Sequence, residues 1–125
     1  WLVLLMPVVA LPPQKTAALY ARIGEERHSC GELTEALVTR LTRGEPVELG
    51  HLFNVFEDVA GDVFTGLERF RRAMLEAGAP KVHLAGAGPA LFSLHQDEAD
   101  ARRVYHALSG YQAFVAATLD SGEAC

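Results

Sequence analysis

Cysteine is nearly absent. Cys30 and Cys125 are the only two in 125 residues, too few for the dense disulfide framework of a small secreted domain, so a reduced, cytoplasmic setting is expected. Basic charge is also short: eleven Lys and Arg face sixteen Asp and Glu, a formal net charge of -5. Nucleic acid and anionic membranes attract cationic faces, so neither is an expected partner. No apolar run can span a bilayer. The opening stretch, Trp1 to Leu11, is short, contains Pro7 and lacks the basic flank of a secretion signal; it reads as a buried strand. The chain opens on that strand with Trp1 and no Met, as a fragment cut at the start of an element would. Internal repeats and low-complexity segments are missing too.

What is present suffices for one core. Half of the residues are hydrophobic, and at this length one domain is expected. Leu2 to Val9 carries β-branched residues in a nearly continuous apolar run, and Pro12-Pro13 stops it. A helix from Gln14 to Ile23 follows, then a polar surface connection from Glu25 to Gly31. Leu33, Leu37 and Leu41 give the next helix an apolar stripe that ends at Gly44. The spacing of Leu49, Leu52, Phe53 and Phe56 predicts a helix opened by Pro46. After a break at Gly61-Asp62, Val63 to Leu75 repeats at helical spacing up to Gly78, a left-handed cap. Phe53, Phe56, Phe64 and Phe70 are expected in the core.

Strands Val82–Ala85 and Ala90–His95 follow, joined by a glycine-rich turn. A helix capped by Asp97 and Asp100 runs to Leu108, and a strand from Phe114 to Leu119 precedes a frayed tail. With the extra helices after the first strand set aside, the order is βαββαβ, the α+β ferredoxin-like plait.

The turn Gly86-Ala87-Gly88-Pro89 is the best candidate site. Glycines permit positive φ and remove Cβ, so backbone N–H groups can converge on an anion. Spacing alone favours a wide hairpin over phosphate contact. A phosphate loop of the Walker type is excluded, because no Lys-Ser or Lys-Thr follows. A dinucleotide fingerprint is excluded as well, because a strand and not a helix comes next. His28, His51, His83, His95 and His106 show no ligand spacing and read as surface or packing residues, so no metal site is expected. Arg69, Arg71 and Arg72 read as a solvated helix face. The adjacent pairs Glu25-Glu26 and Glu57-Asp58 do not place two carboxylates across a substrate.

The segment Leu84-Ala85-Gly86-Ala87-Gly88-Pro89-Ala90-Leu91-Phe92 resembles the third motif of the GHMP kinases, with Ala85, Ala87 and Ala90 where that motif carries hydroxyl residues. Asn54-Val55-Phe56-Glu57 is similar to an Asn-Asp-Leu-Glu segment, and Leu75-Glu76-Ala77-Gly78-Ala79 to the Leu-x-x-x-Gly-Ala before the third motif. Lys15-Thr16-Ala17-Ala18-Leu19-Tyr20 resembles a Ser-Thr-x-x-x-Tyr helix. Together these point to the isoprenoid-pathway branch of the family, which phosphorylates the 2-hydroxyl of 4-diphosphocytidyl-2-C-methyl-D-erythritol. Other GHMP kinases share the fold.

The resemblance implies a GHMP kinase C-terminal, substrate-side domain over residues 1–125. ATP and Mg2+ would be bound mainly by an N-terminal domain outside this chain, which also holds the family's catalytic Asp and Lys. No catalytic residue is therefore expected here, and the fragment alone would be inactive. Gly86, Ala87, Gly88 and Pro89 would lie beside the small-molecule substrate, where the alanines leave only backbone donors. Asn54 and Thr16 are secondary candidates, and Asn54 reads first as a residue satisfying backbone near a helix break. The alternative is a stand-alone ferredoxin-like binding or dimerisation module, with a homodimer as its assembly.

Overall fold

A computed structural model describes residues 1–25, 30–47 and 49–119. Its sheet has four strands: β1 (Leu2–Leu5), β2 (His83–Leu84), β3 (Leu91–Leu94) and β4 (Ala113–Ala116). They lie in the order β2-β3-β1-β4, and every neighbouring pair is antiparallel. Five helices accompany them: α1 (Lys15–Tyr20), α2 (Glu32–Thr42), α3 (Ala60–Val63), α4 (Leu67–Glu76) and α5 (Glu98–Ala107). The class is α+β with a small antiparallel sheet.

The period-two pattern of β1 decides which sheet face is covered. Val3 and Leu5 are buried, while Leu2 and Leu4 are half-buried. The expected strand to Val9 stops early, because Met6 N–H makes the last bond, to Gln112 O at 2.8 Å, and Pro7 has no N–H to continue. The same stop sets the start of β4, since Leu5 pairs with Ala113; β4 ends at Ala116, opposite Leu2, and not at Leu119 as expected.

Helix α4 is amphipathic, with Leu67, Phe70 and Met74 on its buried face. It starts at Leu67 and not Val63, because Phe64 leaves helical geometry (φ -108°, ψ 84°) and Gly66 is left-handed. The expected break at Gly61-Asp62 instead lies inside α3. At the far end Gly78 has φ +99°, and Ala79 N–H bonds Met74 O at 3.0 Å, as a left-handed cap requires. Phe64, Met74, Leu91, Val104 and Leu108 join Val3 and Leu5 in one core.

The helix expected after Pro46 is replaced by two short 3-10 turns, Leu49–His51 and Val55–Asp58. Asn54 is the reason. It is extended (φ -144°, ψ 109°), and its Oδ1 accepts from Phe56 N–H at 3.1 Å, offering the backbone an alternative to a continued helix. Phe53 is consequently 54% exposed, against the expectation of core, while Phe64 and Phe70 are buried as expected. The tail, Asp120–Cys125, and residues 26–29 of the expected connection lie outside the described residues.

A polar chain ties β3 to α5. Ser93 Oγ lies 2.8 Å from His95 Nε2, His95 Nδ1 lies 2.6 Å from Asp100 Oδ2, and Arg103 donates to Asp100 Oδ1 at 2.5 Å. The order of groups imitates a nucleophile, base and acid. Ser93 is fully buried, however, so no substrate reaches it; the chain is a packing device. The bond from His95, with the Arg103 guanidinium second, holds the Asp100 carboxyl below its ordinary value of 3.8. Asp97, as expected, caps α5 by accepting from Asp100 N–H at 2.8 Å.

Candidate functional site

A cleft of about 570 Å3 opens where α1, α2, the Asn54–Asp58 segment and the glycine loop meet. Its wall is mostly apolar: Leu33 and Leu37 from α2, with Leu52, Phe53, Phe56 and Phe92. Tyr20 and Phe56 meet edge to face at 5.0 Å. The polar lining comes from Thr16, Thr34, His51, Asn54, Glu57 and His83. Of the residues singled out from sequence, Thr16, Asn54, Gly86 and Ala87 line this one cleft. Gly88 and Pro89 do not.

Gly88 lies behind the cleft and is buried. Its φ is +62°, and a Cβ there would stand 2.8 Å from Leu84 Cδ1 and 3.1 Å from Phe64 Cε2, both core side chains. Gly86 also has positive φ, +54°, but a Cβ on it would meet nothing within 4 Å. The first glycine therefore serves backbone geometry alone; the second also serves packing. The Gly88–Pro89 peptide is cis.

The loop closes on itself through Ala85 N–H to Ala90 O at 2.9 Å and Gly88 N–H to Ala85 O at 2.8 Å. These bonds make the hairpin that the spacing favours. Gly88 has used its donor, and the Gly86 and Ala87 N–H groups have no protein acceptor among the described residues.

Two side chains from a single turn hold the loop from below. Asn54 Nδ2 donates to Leu84 O at 2.9 Å and Gly86 O at 2.8 Å, while its Oδ1 caps the turn. Asn54 does satisfy backbone, and the backbone it satisfies belongs to the candidate loop. Glu57 Oε1, three residues on, accepts from Leu84 N–H at 2.9 Å and lies 3.1 Å from His83 Nδ1. On the other side Lys15 Nζ donates to Gly88 O.

Sequence reasoning missed Glu57, His83 and Lys15 as site residues. Glu57 was hidden in the pair Glu57-Asp58. Its i, i+3 relation to Asn54 was the available signal, since that spacing puts both on one side of a helical turn. Lys15 lies 73 residues from its partner, a separation no local pattern reports. Arg71, expected on a solvated face, donates to Val82 O at 2.8 Å next to β2.

Comparison with known proteins shows which family the chain resembles in sequence and fold. The family model described as GHMP kinases C terminal matches residues 33–112. A protein of Dehalococcoides mccartyi named 4-diphosphocytidyl-2-C-methyl-D-erythritol kinase is 42% identical over 121 residues, covering 95% of this chain and 42% of its own length. One of the same name from Bacillus pumilus is 28% identical over 112 residues, covering 89% of this chain and 37% of its own. A crystal structure of 4-(cytidine 5'-diphospho)-2C-methyl-D-erythritol kinase superposes with a TM-score of 0.67 at 28% identity, over 90% of this chain and 40% of that one. The chain thus spans about two fifths of the length of the relatives it matches. With most of its residues matched by the family model, the chain belongs to the C-terminal domain family of the GHMP kinases.

Proposed function

We propose that this chain is the substrate-side domain of an ATP-dependent kinase that phosphorylates the 2-hydroxyl of 4-diphosphocytidyl-2-C-methyl-D-erythritol, a step of non-mevalonate isoprenoid precursor synthesis. One observation carries the reading: Thr16, Asn54 and Gly86-Ala87, three segments far apart in sequence, converge on one cleft. Relatives that bear this kinase's name align over 95% of the chain. The strand order β2-β3-β1-β4 supports the finer fold reading, a ferredoxin-like βαββαβ plait with helices inserted after β1.

Phosphoryl transfer depends on in-line positioning and charge stabilisation more than on covalent chemistry. This domain's share is positioning. Asn54 and Glu57 fix the end of β2 and the glycine loop, so that the loop beside the cleft need not reorganise when a reactant arrives. Among the described residues no three His, Cys, Asp or Glu side chains come together to hold a metal ion. We assign Mg2+, most of the ATP contacts and the catalytic groups to an N-terminal domain.

That domain needs a seat, and α2 offers one: Leu33, Val38 and Leu41 are 41%, 56% and 55% exposed. The same stripe favours a second reading, a homodimerising module without kinase activity. No helix among the described residues is long and apolar enough to cross a membrane, and a cytoplasmic enzyme is the setting we assign. The test is a phosphoryl-transfer assay on the intact parent protein with ATP and 4-diphosphocytidyl-2-C-methyl-D-erythritol. Transfer to that alcohol is the expected result. Transfer only to mevalonate, homoserine or galactose would reassign the substrate within the family, and a stable dimer without nucleotide affinity would favour the module.

A further inference from the structure

The glycine loop has a cation whose use the family resemblance does not assign. Lys15 opens α1, is half-buried, and its Nζ reaches across to Gly88 O. An ammonium has three N–H donors, and this contact uses one. No carboxylate pairs with Lys15 among the described residues. The neighbouring residue, Thr16, lines the cleft, as do Gly86 and Ala87, whose N–H groups also lack a protein acceptor. Ala85, Ala87 and Ala90 bring no hydroxyl to the loop. The loop thus presents unused donors, with the Lys15 ammonium on its Gly88 side and the Glu57 carboxylate, already held by Leu84 N–H and His83, on its Leu84 side. Such a concavity suits an anion with several acceptor oxygens.

We propose that Lys15, together with the N–H groups of Gly86 and Ala87, binds a phosphate or diphosphate group of the reactant, its charge standing in for the hydroxyl donors the loop lacks. Lys is well suited to this task, because a flexible point charge can keep its carbonyl partner and still turn its remaining donors to an incoming oxyanion. The bond to Gly88 O also offsets the repulsion which that carbonyl would exert on the anion, as Asn54 does for Gly86 O. The proposal deepens the kinase reading and rests on it for the identity of the ligand, but the anion site can be tested without turnover.

The probe is inorganic pyrophosphate, titrated at constant ionic strength into the isotopically labelled 125-residue chain and followed by NMR. The amides of Gly86 and Ala87 and the Lys15 side-chain signals are expected to move with one midpoint, and Lys15→Met to weaken that midpoint about tenfold, the loss of one charge-assisted bond. Lys15→Arg should retain most of the binding. Unmoved Lys15 signals in the wild-type chain would overturn the proposal even if Lys15→Met failed to fold, and so would a folded Lys15→Met variant with an unchanged midpoint. In the intact kinase, Lys15→Met should raise KM for the diphosphate-bearing substrate about tenfold with a smaller change in kcat. Normal KM in an active enzyme would overturn the role of Lys15 and leave the kinase reading standing. Pyrophosphate binding through Lys15 in a parent protein without kinase activity would do the reverse.

Discussion

Gly86 and Gly88 look alike in sequence and differ in what surrounds them. Both need positive φ, which costs an L-residue about 1–2 kcal/mol. Only at Gly88 does a methyl group also collide with Leu84 and Phe64, and overpacking adds about 1–3 kcal/mol. Gly88→Ala is therefore expected to lower stability clearly more than Gly86→Ala, measured by urea unfolding; equal losses would mean that the core yields to the added methyl. Asn54 gives a second contrast. Asn54→Asp keeps the acceptor that caps Phe56 but loses both donors to Leu84 O and Gly86 O, so amide exchange should stay slow at Phe56 while the loop loosens. Asn54→Ala loses all three bonds, about 1 kcal/mol for the cap and similar amounts per buried bond. Asn54→Asp turns a carboxylate oxygen on two carbonyl oxygens, so both variants should lower the denaturant midpoint. The sequence made the glycines and Asn54 visible because turn chemistry and a known motif mark them. Lys15 and His83 stayed hidden, because their bonds join distant segments and carry no local signature, while the signal for Glu57, its i, i+3 relation to Asn54, was masked by its pairing with Asp58.

At the level of elements, amphipathic period and capping read well where a single face is buried. Helix α5 falls close to its expected span, since Asp97 before Glu98 states its start chemically, whereas α4 keeps the expected end before Gly78 but begins at Leu67 and not Val63. The stretch after Pro46 read poorly. Apolar residues at helical spacing were present, but Asn54 spends its side chain on the backbone and the chain turns there. The polar chain joining β3 and α5 belongs to this scale, and so does its pH dependence. The pKa of Asp100 is lowered in the folded state by His95 first and Arg103 second. The unfolded state therefore binds the proton more readily, and the stabilisation is complete above the ordinary carboxylate range and is lost as pH falls through the lowered folded value. The stability gap between wild type and Asp100→Asn should be full at neutral pH and close on acidification below about pH 4; a gap that stays constant into strong acid would mean that the carboxylate charge does not matter.

At the scale of the whole molecule, helix α2 presents, among the described residues, an apolar surface that the fold leaves open. Helix α2 buries no residue completely, yet carries Leu33, Val38 and Leu41 at helical spacing. If an N-terminal kinase domain covers this stripe, Val38→Glu with Leu41→Glu should leave the thermal midpoint of this chain nearly unchanged while reducing its ability to complement a separately produced N-terminal half. Undiminished complementation would move the domain seat elsewhere. The general class and the order of elements were legible at this scale, because alternation and turn residues mark each strand. The convergence of Thr16, Asn54 and the glycine loop was not, since it depends on how α1 and the 3-10 turns pack.

The position of Gly88 against Phe64 and Leu84 also bears on how the loop can change over generations. A side chain introduced at residue 88 cannot be rescued by one second-site change in the core. Trimming Leu84 would remove its close contacts and leave Phe64 Cε2, and no trimming alters the +62° backbone angle. Genetic suppressors of a Gly88 variant should therefore be rare and should return glycine, whereas variants at Gly86, with open space around the missing Cβ, should drift and be repaired far more easily.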